Sequence, residues 1–265
     1  MPALLGVGML LPDGLRRLDA LVNLPDSRAG VVDGPELGPW LKRKKDARLL
    51  PRAAQLALPA AGVALKTFHG DAENLAIFVA VGREPPDQGE AEASLAAMER
   101  HGKVALDRLG GDGKALYPPL LPLRTLPNMV LAHVAIQHGI RGENAVFAGG
   151  EEAGRHALRA AVNTLVEGRA THALVGAAYS AVDLASARDR LRLGLIGPPG
   201  EGAIFLLIGE GKSGEFPSFD ALTAGADASS RLAGDFWGNV WGDLGPVHGL
   251  LRGWIAQRAT LAPHG

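Results

Sequence analysis

The run Gly149-Gly150-Glu151-Glu152-Ala153-Gly154 places two glycines directly before two carboxylates. A glycine turn that opens a helix can gather chemistry, because first-turn N–H groups carry partial positive charge and hold anions or activate nucleophiles. Here that turn is acidic. Carboxylates complement the helix dipole by about 0.3–1 kcal/mol each and oppose a bound phosphate, and neither GxGxxG nor GxxxxGKS spacing is present. His156, further along the same helix, falls on its expected apolar face, which favours a packed, hydrogen-bonded imidazole over a catalytic one. His133 and His138 share a second helix, but five residues splay them by about 140°. His172, His248 and His264 have no His, Asp or Glu neighbour at ligand spacing, so no metal or other cofactor is expected. The chain contains no cysteine, which removes disulfides, thiolate ligands and thiol nucleophiles together. No GxSxG elbow is present for a serine hydrolase.

One dense basic run, Lys42, Arg43, Lys44 and Lys45, is followed by Arg48 and Arg52. It reads either as a solvated helix start or as a dock for an acidic partner. The formal net charge of the 265 residues is −1, so no global field attracts nucleic acid or an anionic membrane. No apolar run is long enough to span a bilayer. The N-terminus reads as a buried strand and turn rather than a signal peptide, and a cytoplasmic location is expected.

The elements that must position these residues alternate. Residues 3–11 form a buried strand, and residues 49–65 carry helical spacing that Pro59 should end or kink. Residues 74–81 are a strand apolar on both faces. Residues 90–110 read as one amphipathic helix, with Leu95, Met98, Val104, Ala105 and Leu109 toward the core. Asn128 is placed to cap a helix over 129–138 that Gly139 stops. A strand over 143–148, the glycine turn and a helix over 151–168 follow, with His156, Ala157, Ala160, Ala161, Thr164 and Leu165 as its core face. Strands over 171–178 and 203–208 complete an α/β pattern. Beyond residue 209 the signal weakens to a strand over 219–224 and a helix over 250–260. Trp237, Trp241 and Trp254 there can cap the core or anchor an interface.

Residues 126–180, LPNMVLAHVAIQHGIRGENAVFAGGEEAGRHALRAAVNTLVEGRATHALVGAAYS, resemble the central part of the β-ketoacyl synthase family of the thiolase-like superfamily. The opening LLGVGMLLPDG, the segment KKDARLLPRAAQLALPAA and the run GPPGEGAIFLLIGE extend the likeness over about residues 3–210. The resemblance implies an α/β fold of the thiolase-like layered αβαβα kind. Residues 1–210 would be the N-terminal half and 211–265 a shortened remnant of the second half, packed as one unit. It places Glu151, or a neighbour one residue away, where the family keeps its nucleophilic cysteine. The HGTGT histidine motif is absent, and Pro246 falls where a second catalytic histidine is expected.

What the resemblance implies is a non-catalytic subunit of the chain-length-factor type. Its expected partners are an active full-length ketosynthase and an acyl carrier protein, in a polyketide, polyene or fatty-acid-like pathway. The interface would then use Asn128, Asn144, Val146, Phe147 and Ala148. Met129, His133 and Ile136 would line an acyl tunnel, and the basic run from Lys42 to Arg52 would dock the carrier. The alternatives are an acyl-thioester enzyme of altered chemistry using Glu151 or His156, or a homodimeric interaction protein.

Overall fold

The computed structural model describes residues 3–11, 14–16, 31–83, 88–110, 124–183, 186, 188, 191–192, 200–210, 246–247 and 250. In chain order these give β1 (Ala3–Leu11), β2 (Gly14–Arg16), α1 (Arg52–Ala64) and β3 (Ala76–Val81). There follow α2 (Gln88–Met98), a small hairpin of β4 (Glu99–Arg100) and β5 (Lys103–Val104), and the single turn α3 (Asp107–Gly110). Next come α4 (Asn128–His138), β6 (Asn144–Ala148), α5 (Glu151–Val166), β7 (His172–Ser180) and β8 (Glu201–Gly209).

Six strands form one sheet in the order β2-β1-β8-β7-β3-β6. β3 runs parallel to both β6 and β7, while β8 is antiparallel to β7 and to β1. The continuous apolar runs of β3 and β8 are buried along their whole lengths, as strands covered on two faces must be. One face carries α1 and α4, with Leu56, Ile77, Val79, Val130 and Phe205 among its buried residues. The other carries α5, with Phe78, Ala80, Ala157, Ala161 and Val175, and Val247 and Leu250 are buried in the same cluster. The described residues thus make three layers. The expected element over 219–224, Trp237, Trp241, Trp254 and most of the expected second half lie outside the described residues.

Alanine lets α1 lie close on the sheet. A Cβ added at Gly8 of β1 would collide with the Ala60 carbonyl, and one at Gly6 with the Ala64 carbonyl. The helix starts at Arg52 rather than Leu49, which lies exposed in the preceding 3-10 turn (Lys44–Leu49). It also runs through Pro59 instead of ending there. Proline forfeits one intrahelical bond at about 3 kcal/mol, and the complete burial of the helix from Leu56 to Ala64 offsets that loss.

The single helix expected over 90–110 breaks at Met98. Leu95 and Val104 are 53% and 57% exposed, and the buried residues are Ser94, Ala97 and Met98. Gly102 and His101, with φ of 75° and 54°, make the reversal between β4 and β5. Helical periodicity alone did not reveal that turn. Asn128 is the first residue of α4 rather than its cap, and Pro127 precedes it without a side-chain cap bond. Gly139 ends α4 as expected, in the left-handed conformation (φ 73°).

Candidate functional site

Because β3, β6 and β7 are parallel, their C-terminal ends meet at one edge of the sheet. There β6 leaves through Gly149 and Gly150 into α5. Gly149 adopts φ 156°, which a residue with a Cβ rarely takes, and its N–H donates to the Val81 carbonyl at 2.9 Å. The Ala153 N–H donates to the Gly150 carbonyl at 3.1 Å, which starts the helix without a side-chain cap. Glu151 is half-buried and Glu152 exposed, the latter paired with Arg155 one turn on. The turn therefore has the form of a nucleophile or anion seat, but the side chains it presents are carboxylates.

His156 is exposed rather than on the core face of α5. Its ring meets Phe147 edge-on with centroids 6.3 Å apart. The buried stripe is instead Ala153, Gly154, Ala157, Leu158, Ala161 and Thr164. His156 lies about 100° around the helix from Ala157, on the flank of this stripe and toward solvent.

The same edge holds a charge cluster that the sequence reading missed. Glu201, the first residue of β8, is 0% exposed. Its carboxylate accepts from Arg52 Nε at 2.9 Å, Ser180 Oγ at 2.8 Å and the Val32 N–H at 2.8 Å. Arg52 pairs with it a second time through Nη2, and that nitrogen also donates to the Val32 carbonyl at 2.6 Å. Arg52 is therefore held against Glu201 with its side chain 31% exposed, unlike the other cations of the expected docking run. A lone glutamate opening an otherwise apolar strand was the available signal, but its partners are 149 and 169 residues away.

Lys42, Arg43, Lys44, Lys45 and Arg48 stay at the surface, on a segment that crosses α4. Gln137 of α4 accepts from the Lys42 N–H at 2.7 Å and donates to Asp46 at 3.4 Å, and Lys42 Nζ reaches the Ile136 carbonyl at 2.8 Å. Arg43 pairs with Asp46 at 3.0 Å, which holds that carboxyl below the usual range, together with the hydrogen bond from Gln137. His133 is buried beneath this segment and bonded to the Leu49 carbonyl, and burial lowers its pKa. The Nε2 atoms of His133 and His138 are both buried, with no hydrogen-bond partner among the described residues. Desolvation, with Lys42 adding to it, pushes the His138 pKa down to about 4.

The expected tunnel residues consequently divide. His133 is under cover, Met129 is half-buried and Ile136 is 60% exposed. The expected interface residues lie together: Val146 and Phe147 half-buried and Asn144 and Ala148 exposed on β6, with Asn128 exposed at the start of α4. Among the described residues, β6 pairs only with β3. Also among the described residues, no three His, Asp or Glu side chains gather as a metal site, and no helix is long and apolar enough to cross a membrane.

Comparison with known proteins places this architecture. The family described as Beta-ketoacyl synthase, N-terminal domain, matches residues 41–205, well over half of the chain. No curated protein matches in sequence. Among solved structures, the AntDE:AntF (apo) assembly, a type II PKS acyl-carrier protein in complex with its ketosynthase bound to the hexaketide, superposes with a TM-score of 0.61 at 19% identity, over 85% of this chain and 65% of that one. The ishigamide ketosynthase/chain length factor gives 0.61 at 16% identity, over 98% and 91%. A beta-ketoacyl synthase from Burkholderia phymatum STM815 gives 0.56 at 17%, over 80% and 59%. The chain thus spans less than two thirds of the AntDE:AntF and Burkholderia chains and nearly all of the matched ishigamide chain. The likenesses show the ketosynthase fold of the thiolase-like superfamily, and by the extent of the family match this chain, with no cysteine at its strand-to-helix turn, is a member of the β-ketoacyl synthase family.

Proposed function

We propose that the chain is a non-catalytic ketosynthase-like subunit, of the chain-length-factor type, that pairs with a cysteine-bearing β-ketoacyl synthase. The observation that carries this reading is the Gly149–Gly150 turn. The family's strand, turn and helix are all in place, yet positions 150 to 152 offer Gly, Glu and Glu instead of a thiol. A carboxylate at this turn would hold an acyl group only as a labile anhydride, a poor store for chain transfer.

The edge strand supports a permanent partner. β6 carries half-buried Val146 and Phe147 beside an unshared row of backbone donors and acceptors among the described residues, and such an edge invites pairing with another strand. The partner's counterpart strand would continue the sheet there, flanked by α4. The exposed cations Lys42, Arg43, Lys44, Lys45 and Arg48 are the proposed dock for an acidic acyl carrier protein, in a polyketide, polyene or fatty-acid-like pathway.

The test is co-expression with a full-length, cysteine-bearing ketosynthase from the same organism, followed by native mass and condensation activity. The expected result is a one-to-one complex whose activity is unchanged by Glu151→Ala. A self-contained homodimer, or activity lost with Glu151, overturns the proposal. Charge reversal at Lys44, Lys45 and Arg48 is expected to weaken carrier-protein binding, and unchanged binding would remove the docking assignment alone.

A further inference from the structure

Gly82 follows β3 at the edge where β6 gives way to the glycine turn. A Cβ placed on Gly82 would collide with Cδ2 and Cε2 of Tyr179, so the phenol ring stands where a side chain at 82 would project. Ala76, Phe78 and Ala80 of β3 face the α5 core, and strand alternation puts Gly82 on that same face. Tyr179 continues the series Ala173, Val175 and Ala177 and packs against the same cluster. Phe147, on the other neighbour of β3, packs there too.

The ring therefore lies on the face that α5 covers. The residue beside Gly82 on the β6 side is Gly149, tied to Val81 by its N–H. Neighbouring strands are about 4.8 Å apart, so the ring stands within a side chain's length of the turn that opens α5. A phenol at 179 needs a glycine at 82, and the chain supplies both.

We propose that Tyr179, seated on Gly82, fills the apolar space beside the Gly149–Glu151 turn and bars an acyl chain from it. This deepens the partner-subunit reading and rests on it, but it adds a block separate from the missing nucleophile. A thiol restored at position 151 is exposed to small reagents and closed to long ones.

The test grafts that thiol. In the full-length chain carrying Glu151→Cys, modification by iodoacetamide and by N-octylmaleimide is followed by intact mass, with N-ethylmaleimide as the short-chain control. Adding Tyr179→Ala is expected to speed N-octylmaleimide by about tenfold, the gain when two methylenes find apolar cover, and to leave iodoacetamide unchanged. Tyr179→Phe keeps the slow rate, because the ring and not the hydroxyl is the barrier. Gly82→Ala pushes the ring off its seat and repeats the acceleration in a chain that retains Tyr179, with circular dichroism checking the fold of each variant. Octyl and ethyl maleimides reacting equally fast with Glu151→Cys alone, no acceleration in Tyr179→Ala, or equal acceleration in Tyr179→Phe would each overturn the assignment. These rates need no partner, so their failure leaves the co-expression result standing, and the reverse also holds.

Discussion

At one edge of the sheet two glutamates sit in contrasting surroundings. Glu201 is 0% exposed and takes hydrogen bonds from Arg52, Ser180 and the Val32 backbone. Glu151, at the start of α5, is half-buried in the first turn after Gly149 and Gly150. The first gathers residue 32, the N-terminus of α1 and the ends of β7 and β8 into one knot. The second completes an ordinary acidic helix start. In this chain the strong electrostatics at that edge ties distant segments together, and the Gly149–Gly150 turn presents carboxylates and no thiol.

The contrast is tested most strongly at Arg52. Arg52→Ala leaves the Glu201 carboxylate buried without its cation, and urea unfolding is expected to show a loss of about 3–5 kcal/mol. Replacing both partners, as in Arg52→Met with Glu201→Leu, is expected to recover only part of that loss, since apolar residues of similar size can substitute for a buried pair but leave the Ser180 hydroxyl and the Val32 N–H without their acceptor. A cost below 1 kcal/mol for Arg52→Ala would erase the distinction between the two glutamates.

Ser180→Ala removes one donor to the buried carboxylate and is expected to cost about 1.5–3 kcal/mol by the same measurement. It sharpens the comparison by separating the hydrogen-bond share of the knot from the charge share.

The imidazole of His138 carries a second electrostatic contrast, between the folded and the unfolded chain, and pH reads it. His138 titrates near 4 in the folded chain, below the unfolded value of about 6.5. As pH falls, the unfolded state binds this proton first, so the His138 contribution is complete above about 6.5, is lost between there and about 4, and changes no further below. His133 shifts in the same direction. Thermal midpoints measured from pH 7.5 to 4 are expected to fall, and His138→Gln to flatten part of that slope.

The smallest effect belongs to Glu151. Glu151→Ala is expected to cost about 0.3–1 kcal/mol, the worth of a carboxylate at a helix N-terminus. A loss comparable to that of Arg52→Ala would show a buried role for Glu151 and break the comparison from the other side.

Much of the site's frame was legible from local pattern. The strand, the Gly149–Gly150 turn and α5 follow from a short apolar run, two glycines and helical spacing within one stretch of chain. Gly139 stopped α4 where its backbone freedom predicts. The misreadings had other causes, most of them tertiary. Pro59 lies inside a helix because tertiary burial outweighed one lost bond. His156 left the core because the buried stripe of α5 centres on Ala153, Ala157, Leu158 and Ala161 and leaves it on the flank. The helix expected over 90–110 broke because a reversal at His101 and Gly102 carries little periodic signal. His133 and Ile136 share a stripe of α4, but a segment some 90 residues earlier in the chain covers one and leaves the other at 60% exposure.

By itself the sequence determined that no thiol stands at the turn, that the chain is α/β and that its strand-turn-helix is of the ketosynthase kind, because each depends on residue type or on neighbours within a few turns. Only the tertiary structure decided that Glu201 meets Arg52 and Val32 and that Tyr179 lies across Gly82. Those depend on which strands become neighbours and on which face a residue emerges, and pairing between distant segments leaves no periodic trace in the chain that makes it.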